Sequence, residues 1–219
     1  MTYPVVEKFI SINGESDKAG ELATFIRFKG CNLNCSYCDT KWANEPSVKA
    51  EYMTLDEIVE YCERNHMYNI TLTGGEPLLV KDIDKLIDAL TTRGHRVEIE
   101  TNGSVSIERL SKNTKAIFTL DYKCPSSGME KYMLLDNYMY LKKDDAVKFV
   151  VGTQEDLLKA YEIIRRYDLS NKCHVFLSPV YGEIEPKDIV QFMIDNNMNN
   201  IKLQLQLHKF IWNPDKRGV

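Results

Sequence analysis

Three cysteines in one short segment are the residues of this chain best suited to chemistry. Cys31, Cys35 and Cys38 are separated by three residues and then by two, and Tyr37 precedes the last of them. A cube of four irons is usually held by four cysteine thiolates, and this segment offers three. One iron would therefore stay open to a ligand that is not protein. The spacing predicts an iron–sulfur cluster that takes part in a reaction as well as storing electrons.

A structural zinc site is an alternative interpretation of the same cysteines. Zinc in such sites takes four ligands, commonly from paired Cys-x-x-Cys units, and Cys35 and Cys38 form the only such pair. The histidines have no zinc-like spacing to this segment; they are His66, His95, His174 and His208. A zinc-stabilised binding module without catalytic activity is thus the alternative to an enzyme.

The composition is that of an acidic protein with a sizeable core. The chain has 219 residues, 43% of them hydrophobic, a net charge of −4 and a pI near 5.7. No cluster of basic residues favours nucleic-acid binding, the first eight residues lack the basic-then-apolar pattern of a signal peptide, and no apolar run reaches the roughly 20 residues of a membrane span. We expect a cytoplasmic protein whose cysteines are thiols or metal ligands. Cys62, Cys124 and Cys173 are expected to be small buried residues.

Strand and helix patterns alternate after the cysteine segment. The predicted strands are Thr24–Phe28, Ile70–Thr73, Val97–Glu100, Ala116–Leu120, Val147–Val151, Val175–Leu177 and Ile201–Leu205. Thr54 and Glu57 have the spacing of a capping box, and Pro186 suits the first residue of a helix through Ile194. We expect one domain, residues 1–219, folded as a partial TIM-like β/α barrel with about six parallel core strands. An open doubly wound sheet is the second choice.

Polar segments follow several predicted strands, at the strand ends where parallel α/β folds build their sites. The cysteine segment follows the first core strand, and Thr73-Gly74-Gly75-Glu76-Pro77 follows the next. Glu100-Thr101-Asn102-Gly103 and Asp121-Tyr122-Lys123-Cys124 come after the third and fourth. Glycines let a backbone approach a ligand closely, and Glu76 offers a carboxylate for an ammonium group. These segments are expected to surround one site.

The cysteine spacing, Tyr37 and Gly74-Gly75-Glu76-Pro77 together resemble the radical S-adenosylmethionine (SAM) superfamily. A narrower resemblance, from about residue 5 to the C-terminus, is to the 7-carboxy-7-deazaguanine synthase family. The segments that carry it are Ser11–Glu15, Arg27–Leu33, Cys38–Thr40, Lys123 with Pro125–Gly128, and Gln206–Lys209. The chain departs from the family pattern at Asn13, Asp121, Tyr122 and Cys124.

The resemblance implies a lyase that converts 6-carboxy-5,6,7,8-tetrahydropterin to 7-carboxy-7-deazaguanine with loss of ammonia, a step toward queuosine and other 7-deazapurines. It implies a [4Fe–4S] cluster, SAM and Mg²⁺. The 5′-deoxyadenosyl radical formed from SAM would abstract hydrogen from the substrate before its ring contracts. A homodimer and a flavodoxin- or ferredoxin-type electron donor are implied as partners.

The resemblance also implies a role for individual residues. Cys31, Cys35 and Cys38 would hold the cluster, and the Thr40 hydroxyl would bind Mg²⁺. SAM would be bound by Tyr37, Cys38, Asp39, Gly74, Gly75, Glu76, Thr101, Asn102, Asp121, Tyr122, Lys123 and Ser178. The pterin would be bound by Ile12, Asn13, Gly14, Glu15, Arg27, Thr73, His208 and Val219. No catalytic side chain beyond the cofactors is expected.

A glycyl-radical-enzyme activase is the main enzymatic alternative, because such proteins are also small and share the cysteine spacing. Its substrate would be a protein backbone. It would need an open face, with neither a pterin pocket nor a metal site at Thr40.

Overall fold

One sheet of nine strands, with helices packed outside it, forms the framework of the structure. The structure is a computed structural model and describes residues 1–219. The strands are β1 (Thr2–Ile12), β2 (Leu22–Phe28), β3 (Glu51–Thr54), β4 (Asn69–Gly74), β5 (Arg96–Thr101), β6 (Ile117–Lys123), β7 (Ala146–Val151), β8 (His174–Pro179) and β9 (Ile201–Leu203). The α-helices are α1 (Leu55–Asn65), α2 (Ile83–Thr92), α3 (Glu108–Asn113), α4 (Gln154–Arg166), α5 (Leu169–Lys172), α6 (Pro186–Asp195) and α7 (His208–Ile211). Short 3₁₀ turns lie at Lys41–Asn44, Pro77–Leu79, Pro125–Ser127, Glu130–Tyr132 and Leu135–Met139.

The strand order is β3-β1-β2-β4-β5-β6-β7-β8-β9, and the sheet is open. From β2 through β4 to β9 every pair is parallel, whereas β1 is antiparallel to β2 and to β3. The partial TIM-like barrel is therefore confirmed. The predicted strands correspond to β2 and β4 to β9, while β1 and β3 add an antiparallel edge that was not predicted.

The loop after β1 reaches across to the segment that follows β9. The Gln204 side chain accepts a hydrogen bond from the Ser16 amide and donates one to the Ser16 carbonyl, both at 2.8 Å. The amide of Leu207 donates to the carbonyl of Gly14 at 3.1 Å. These bonds hold the loop that carries Glu15 against the C-terminal part of the chain.

The core consists of two clusters of buried apolar side chains. One contains Phe28 and Ile70 with the inner faces of α1 and α2, and the other contains Phe149 and Val175 with residues of α4. The predicted capping box at Thr54 is present, and α6 begins at Pro186 as predicted. None of the helices has the length and apolar character required to cross a bilayer.

The side of the sheet that faces away from these helices is polar. On β5, Val97 and Ile99 lie in the core, whereas the alternate residues Glu98 and Glu100 bond to hydroxyl groups on neighbouring strands. Successive strand residues point to opposite faces, so the same strands that bury the core also carry charged groups toward the site.

Candidate active site

A cleft of about 710 Å³ opens at the carboxyl ends of the parallel strands. Site residues are expected at this end of such a sheet. The cleft is lined by every site residue predicted from the sequence except Asn13, Glu76, Tyr122 and Ser178. The strand-end segments therefore do come together in one place.

The cysteine loop leaves β2 and forms one wall of the cleft. The Cys31 sulfur accepts hydrogen bonds from the Leu33 amide at 3.4 Å and from the side-chain amide of Asn102 at 3.5 Å. Burial raises the pKa of the Cys35 and Cys38 thiols, and the neighbouring thiols add to that effect. No three Cys, His, Asp or Glu side chains are grouped to hold a metal ion. All three thiols nevertheless line the same cleft, and the Cys31 sulfur has two N–H donors. This donor set fits an iron–sulfur cluster, whose iron charge would favour the thiolates.

Gly74 and Gly75 are required by the close approach of two backbones. A Cβ on Gly75 would lie 1.9 Å from the Gly30 carbonyl oxygen, and one on Gly74 would lie 2.4 Å from that of Phe28. Gly74 also has a φ of 142°, which glycine adopts most readily. The amides of Gly75 and Glu76 donate to Phe28 and Gly30. The turn is thereby fixed beside the cluster loop, and these amides are not available to a ligand.

Glu76 is buried and ties this turn to the loop after β5. Its carboxylate accepts hydrogen bonds from the Thr101 hydroxyl at 2.8 Å, the Asn102 amide at 2.7 Å and the Leu78 amide at 2.9 Å. Burial raises the pKa of Glu76 to about 7, although these hydrogen bonds oppose the shift. The carboxylate thus organises two loops of the site.

The other residues predicted to bind SAM occupy different surroundings. Asp121 and Lys123 line the cleft and form an ion pair of 2.8 Å. Tyr37 also lines it, and its hydroxyl donates to the Val150 carbonyl at 3.4 Å. Ser178 instead donates to Glu15 at 3.2 Å. Tyr122 points into the core and its hydroxyl donates to Glu130, so the structure does not bring that side chain to the cleft.

Arg27 and Thr40 meet in the cleft, one from the strand before the cysteine loop and one from just after it. The Arg27 Nε donates to Glu7 at 3.0 Å, and its Nη1 lies 3.5 Å from the Thr40 hydroxyl oxygen. That hydroxyl donates to the Asp39 carboxylate at 2.8 Å. Hard oxygen atoms with few protein ligands are what Mg²⁺ prefers, so Thr40 and Asp39 fit such an ion.

The last residue of β1, Ile12, and the loop after it, with Gly14 and Glu15, also line the cleft. Asn13 is buried beside this loop and does not line the cleft; its side-chain oxygen accepts a hydrogen bond from the Thr71 hydroxyl at 3.0 Å. Burial lowers the pKa of His208, which favours a neutral imidazole at this edge. Val219 lines the cleft as well.

Comparison with known proteins identifies the family. Residues 25–194 match the model of the radical SAM superfamily. A 7-carboxy-7-deazaguanine synthase of Clostridium acetobutylicum is 54% identical over 100% of both chains. Its counterpart in Chlorobaculum tepidum is 37% identical and covers 98% of this chain and 96% of its own. The chain belongs to the 7-carboxy-7-deazaguanine synthase family of radical SAM enzymes.

A solved structure shares the same fold. QueE from Escherichia coli superimposes with a TM-score of 0.75 at 23% identity, over 94% of each chain. Membership of the radical SAM family brings a [4Fe–4S] cluster and SAM as cofactors, and it favours neither the zinc module nor the activase.

Several residues of the cleft were missed by the sequence reasoning. Lys148 and Glu7 line it, and so do Trp42 and Arg217; Glu100 lines it too, in a segment expected at the site but with no role assigned to its side chain. A lysine inside the apolar run of β7 is a readable signal, because a charge on a buried strand needs a partner. Glu7 lies on β1, a strand that was not predicted, and Trp42 follows the cluster loop in a short turn.

Proposed function

We propose that this chain converts 6-carboxy-5,6,7,8-tetrahydropterin to 7-carboxy-7-deazaguanine with loss of ammonia. The observation that carries the proposal is one cleft lined by three thiols together with Arg27 and Glu15, in a chain of this family. When bound, the cluster and SAM supply one-electron radical chemistry. The protein binds, orients and shields the reactants.

The SAM side of the cleft is built by the loops after β4, β5 and β6. We assign the SAM ammonium group to the Gly74–Gly75 turn, where carbonyl oxygens are the groups that suit it. Glu76 acts behind the turn, since its carboxylate is occupied by Thr101, Asn102 and Leu78. Lys123 supplies a positive charge near the carboxylate of SAM, and Asp121 holds its ammonium group in place. Tyr37 and Asp39 lie on the adenine side.

Arg27 is the group we assign to the pterin carboxylate. A guanidinium pairs with a carboxylate through two parallel hydrogen bonds. Glu7 occupies the Nε of Arg27. The two terminal nitrogens are therefore the pair that we assign to the substrate carboxylate. Glu15 has both oxygens held, by Lys148 and Ser178. A carboxylate retains further lone pairs, so Glu15 can accept from the aminopyrimidine edge. Thr73 is bonded to Glu100 at 2.9 Å and stands beside the same edge.

Thr40 is the residue we assign to Mg²⁺, and Asp39 accepts the hydrogen bond of its hydroxyl. Oxygens of the pterin and water would complete the shell that this ion prefers. An ion there would reduce the repulsion between the substrate carboxylate and Asp39. His208, neutral because burial lowers its pKa, and the terminal residue Val219 close the pterin side.

The partners and the setting follow from the family resemblance. We propose a homodimer in the cytoplasm, reduced by a flavodoxin- or ferredoxin-type protein. The net charge of −4 gives no support to a nucleic-acid partner.

The proposal is tested by anaerobic incubation of the reconstituted protein with SAM, dithionite, Mg²⁺ and 6-carboxytetrahydropterin. Formation of 7-carboxy-7-deazaguanine and ammonia in equal amounts supports it. A Cys38→Ala variant, which cannot hold the cluster, should give no product. Release of 5′-deoxyadenosine only in the presence of a partner protein, with no deazaguanine, would overturn the proposal.

A further inference from the structure

Four buried or half-buried charged side chains form a continuous chain in the cleft. Lys148 on β7 lies 2.9 Å from Glu15 and 3.1 Å from Asp121, and Asp121 lies 2.8 Å from Lys123. The exposed fraction of these side chains is 12% for Glu15, 8% for Lys148, 21% for Asp121 and 13% for Lys123. Positive and negative groups therefore alternate from the loop after β1 to the end of β6.

These groups keep one another charged. Burial works against the cation at Lys148, but the carboxylates of Asp121 and Glu15 outweigh it and raise the pKa of Lys148. Burial likewise opposes the anion at Asp121, yet Lys123 and Lys148 lower the pKa of that carboxyl. Removing one partner of a buried pair leaves an uncompensated charge, which is far more costly than the pair itself.

Lys148 is in contact with both sides of the site. Glu15 belongs to the loop assigned to the pterin, and Asp121 belongs to the strand end assigned to SAM. The second oxygen of Glu15 is held by Ser178 at 3.2 Å, and the second oxygen of Asp121 is held by Lys123. Each carboxylate thus has one oxygen bonded to a partner of its own, while its other oxygen is hydrogen-bonded to Lys148 in Glu15 and within ion-pair distance of Lys148 in Asp121.

We propose that Lys148 is a positioning residue that holds Glu15 and Asp121 together, so that one cation aligns the pterin side and the SAM side of the cleft. The inference rests on the proposed function, because that function assigns Glu15 to the pterin and Asp121 to the SAM side. Lys148 acts through these two carboxylates. This role requires no direct contact between Lys148 and either the pterin or SAM.

Steady-state kinetics of the reconstituted holoenzyme test the pterin half. In Lys148→Met, loss of the charge should raise the KM for 6-carboxytetrahydropterin about 30-fold, since truncating one partner of a buried charge pair is strongly unfavourable. The kcat should change much less. Lys148→Arg should restore most of the affinity. Lys202→Met is the matched control, because Lys202 pairs with Asp17 on the surface and is 53% exposed.

A second pair of variants separates positioning from direct contact. If Lys148 acts through Glu15, then adding Lys148→Met to Glu15→Gln should leave the KM close to that of Glu15→Gln alone. In the double variant Glu15 no longer carries the negative charge that Lys148→Met alone would leave without its partner. The double variant can therefore be measured even if Lys148→Met does not fold. A KM that multiplies the two single effects would overturn the proposal, because Lys148 would then contact the pterin by itself.

Equilibrium binding of SAM to the holoenzyme, without pterin, tests the other half. Asp121 keeps Lys123 as a partner, so Lys148→Met should weaken SAM binding by only about fivefold, the effect of losing one ion-pair contact. A Kd equal to that of the wild type overturns the proposal, as does an unchanged KM for the pterin. Failure of the proposed function would show differently, as absence of product from the wild type itself.

Discussion

The Arg27 Nε donates a hydrogen bond of 3.0 Å to the Glu7 carboxylate, and both side chains line the active-site cleft. The two residues lie on adjacent antiparallel strands, where Glu7 is paired with Arg27 in the register of β1 and β2. The ion pair therefore results from the strand register. It fixes the plane of the guanidinium before any substrate arrives.

We expect Glu7→Ala to raise the KM for the carboxypterin by about tenfold, the effect of losing one charge-assisted hydrogen bond. The kcat should change little, because Arg27 retains its charge. Glu7→Gln keeps an acceptor for Nε and should stay near the wild type. Steady-state kinetics at saturating SAM measure both constants. An unchanged KM in Glu7→Ala would show that Arg27 is held by other contacts.

The parallel strands were predictable because their apolar runs are buried against helices on one face. The strands β1 and β3 were not, since only three of the eleven residues of β1 are buried and β3 has only four residues. The edge strand β1 nevertheless contributes Glu7. A sequence pattern reports burial, and a partly exposed edge strand gives a weak pattern.

The strand-end residues of the site were predictable from their motifs, whereas the partnerships among them were not. Glu76 was expected to face an ammonium group, but its carboxylate binds two amides and one hydroxyl of neighbouring loops. Asp121 was a departure from the family pattern, and the structure provides two lysines beside it. Such pairings depend on which strands are neighbours in the sheet, and this order is a property of the fold.

Thr40→Ala should abolish the stimulation of turnover by Mg²⁺, because it removes the hydroxyl oxygen that we assign to this ion. Thr40→Ser retains the hydroxyl and should retain the stimulation. Product formation is measured across a series of MgCl₂ concentrations, with chelated enzyme as the starting point. If Thr40→Ala responds to Mg²⁺ like the wild type, the ion binds elsewhere.

Glu76→Ala should destabilise the fold by about 3 kcal/mol, since three donors in the interior lose their acceptor. Urea denaturation of the apoprotein measures the loss. Glu57→Ala is the control, because it also removes hydrogen bonds from a carboxylate, but at the exposed capping box of α1. That variant should lose only about 1 kcal/mol. Equal losses in the two variants would contradict the organising role of Glu76.

The stability of the apoprotein should depend on pH through Glu100. Burial raises the pKa of Glu100 to about 7, so the native state favours the protonated carboxyl. This contribution is present below the ordinary pKa near 4.5 and is lost as the pH rises through 7. Between pH 5 and pH 8 the wild type should lose on the order of 3 kcal/mol relative to Glu100→Gln. Urea denaturation at both pH values tests this, with the exposed Glu60→Gln as background. Parallel pH curves for wild type and Glu100→Gln would disprove it.

The C-terminal tail should be held over the cleft by a contact between Arg217 and Trp42. The guanidinium carbon of Arg217 lies 4.2 Å from the centre of the Trp42 ring, and Val219 lines the cleft two residues later. An exposed cation–π contact contributes about 0.5–1 kcal/mol, so Arg217→Ala should raise the KM for the pterin by about threefold. Deletion of residues 217–219 should raise it further, because Val219 is lost as well.

Arg166→Ala is the matched control, since Arg166 is also exposed and also lies over an aromatic ring, that of Tyr167, but does not line the cleft. Its KM should equal that of the wild type. Trp42→Phe retains an aromatic face with a weaker attraction for cations, so its KM should lie between those of the wild type and Arg217→Ala. If the deletion and Arg166→Ala behave alike, the tail does not reach the substrate, and the cleft is completed by the loop after β1 alone.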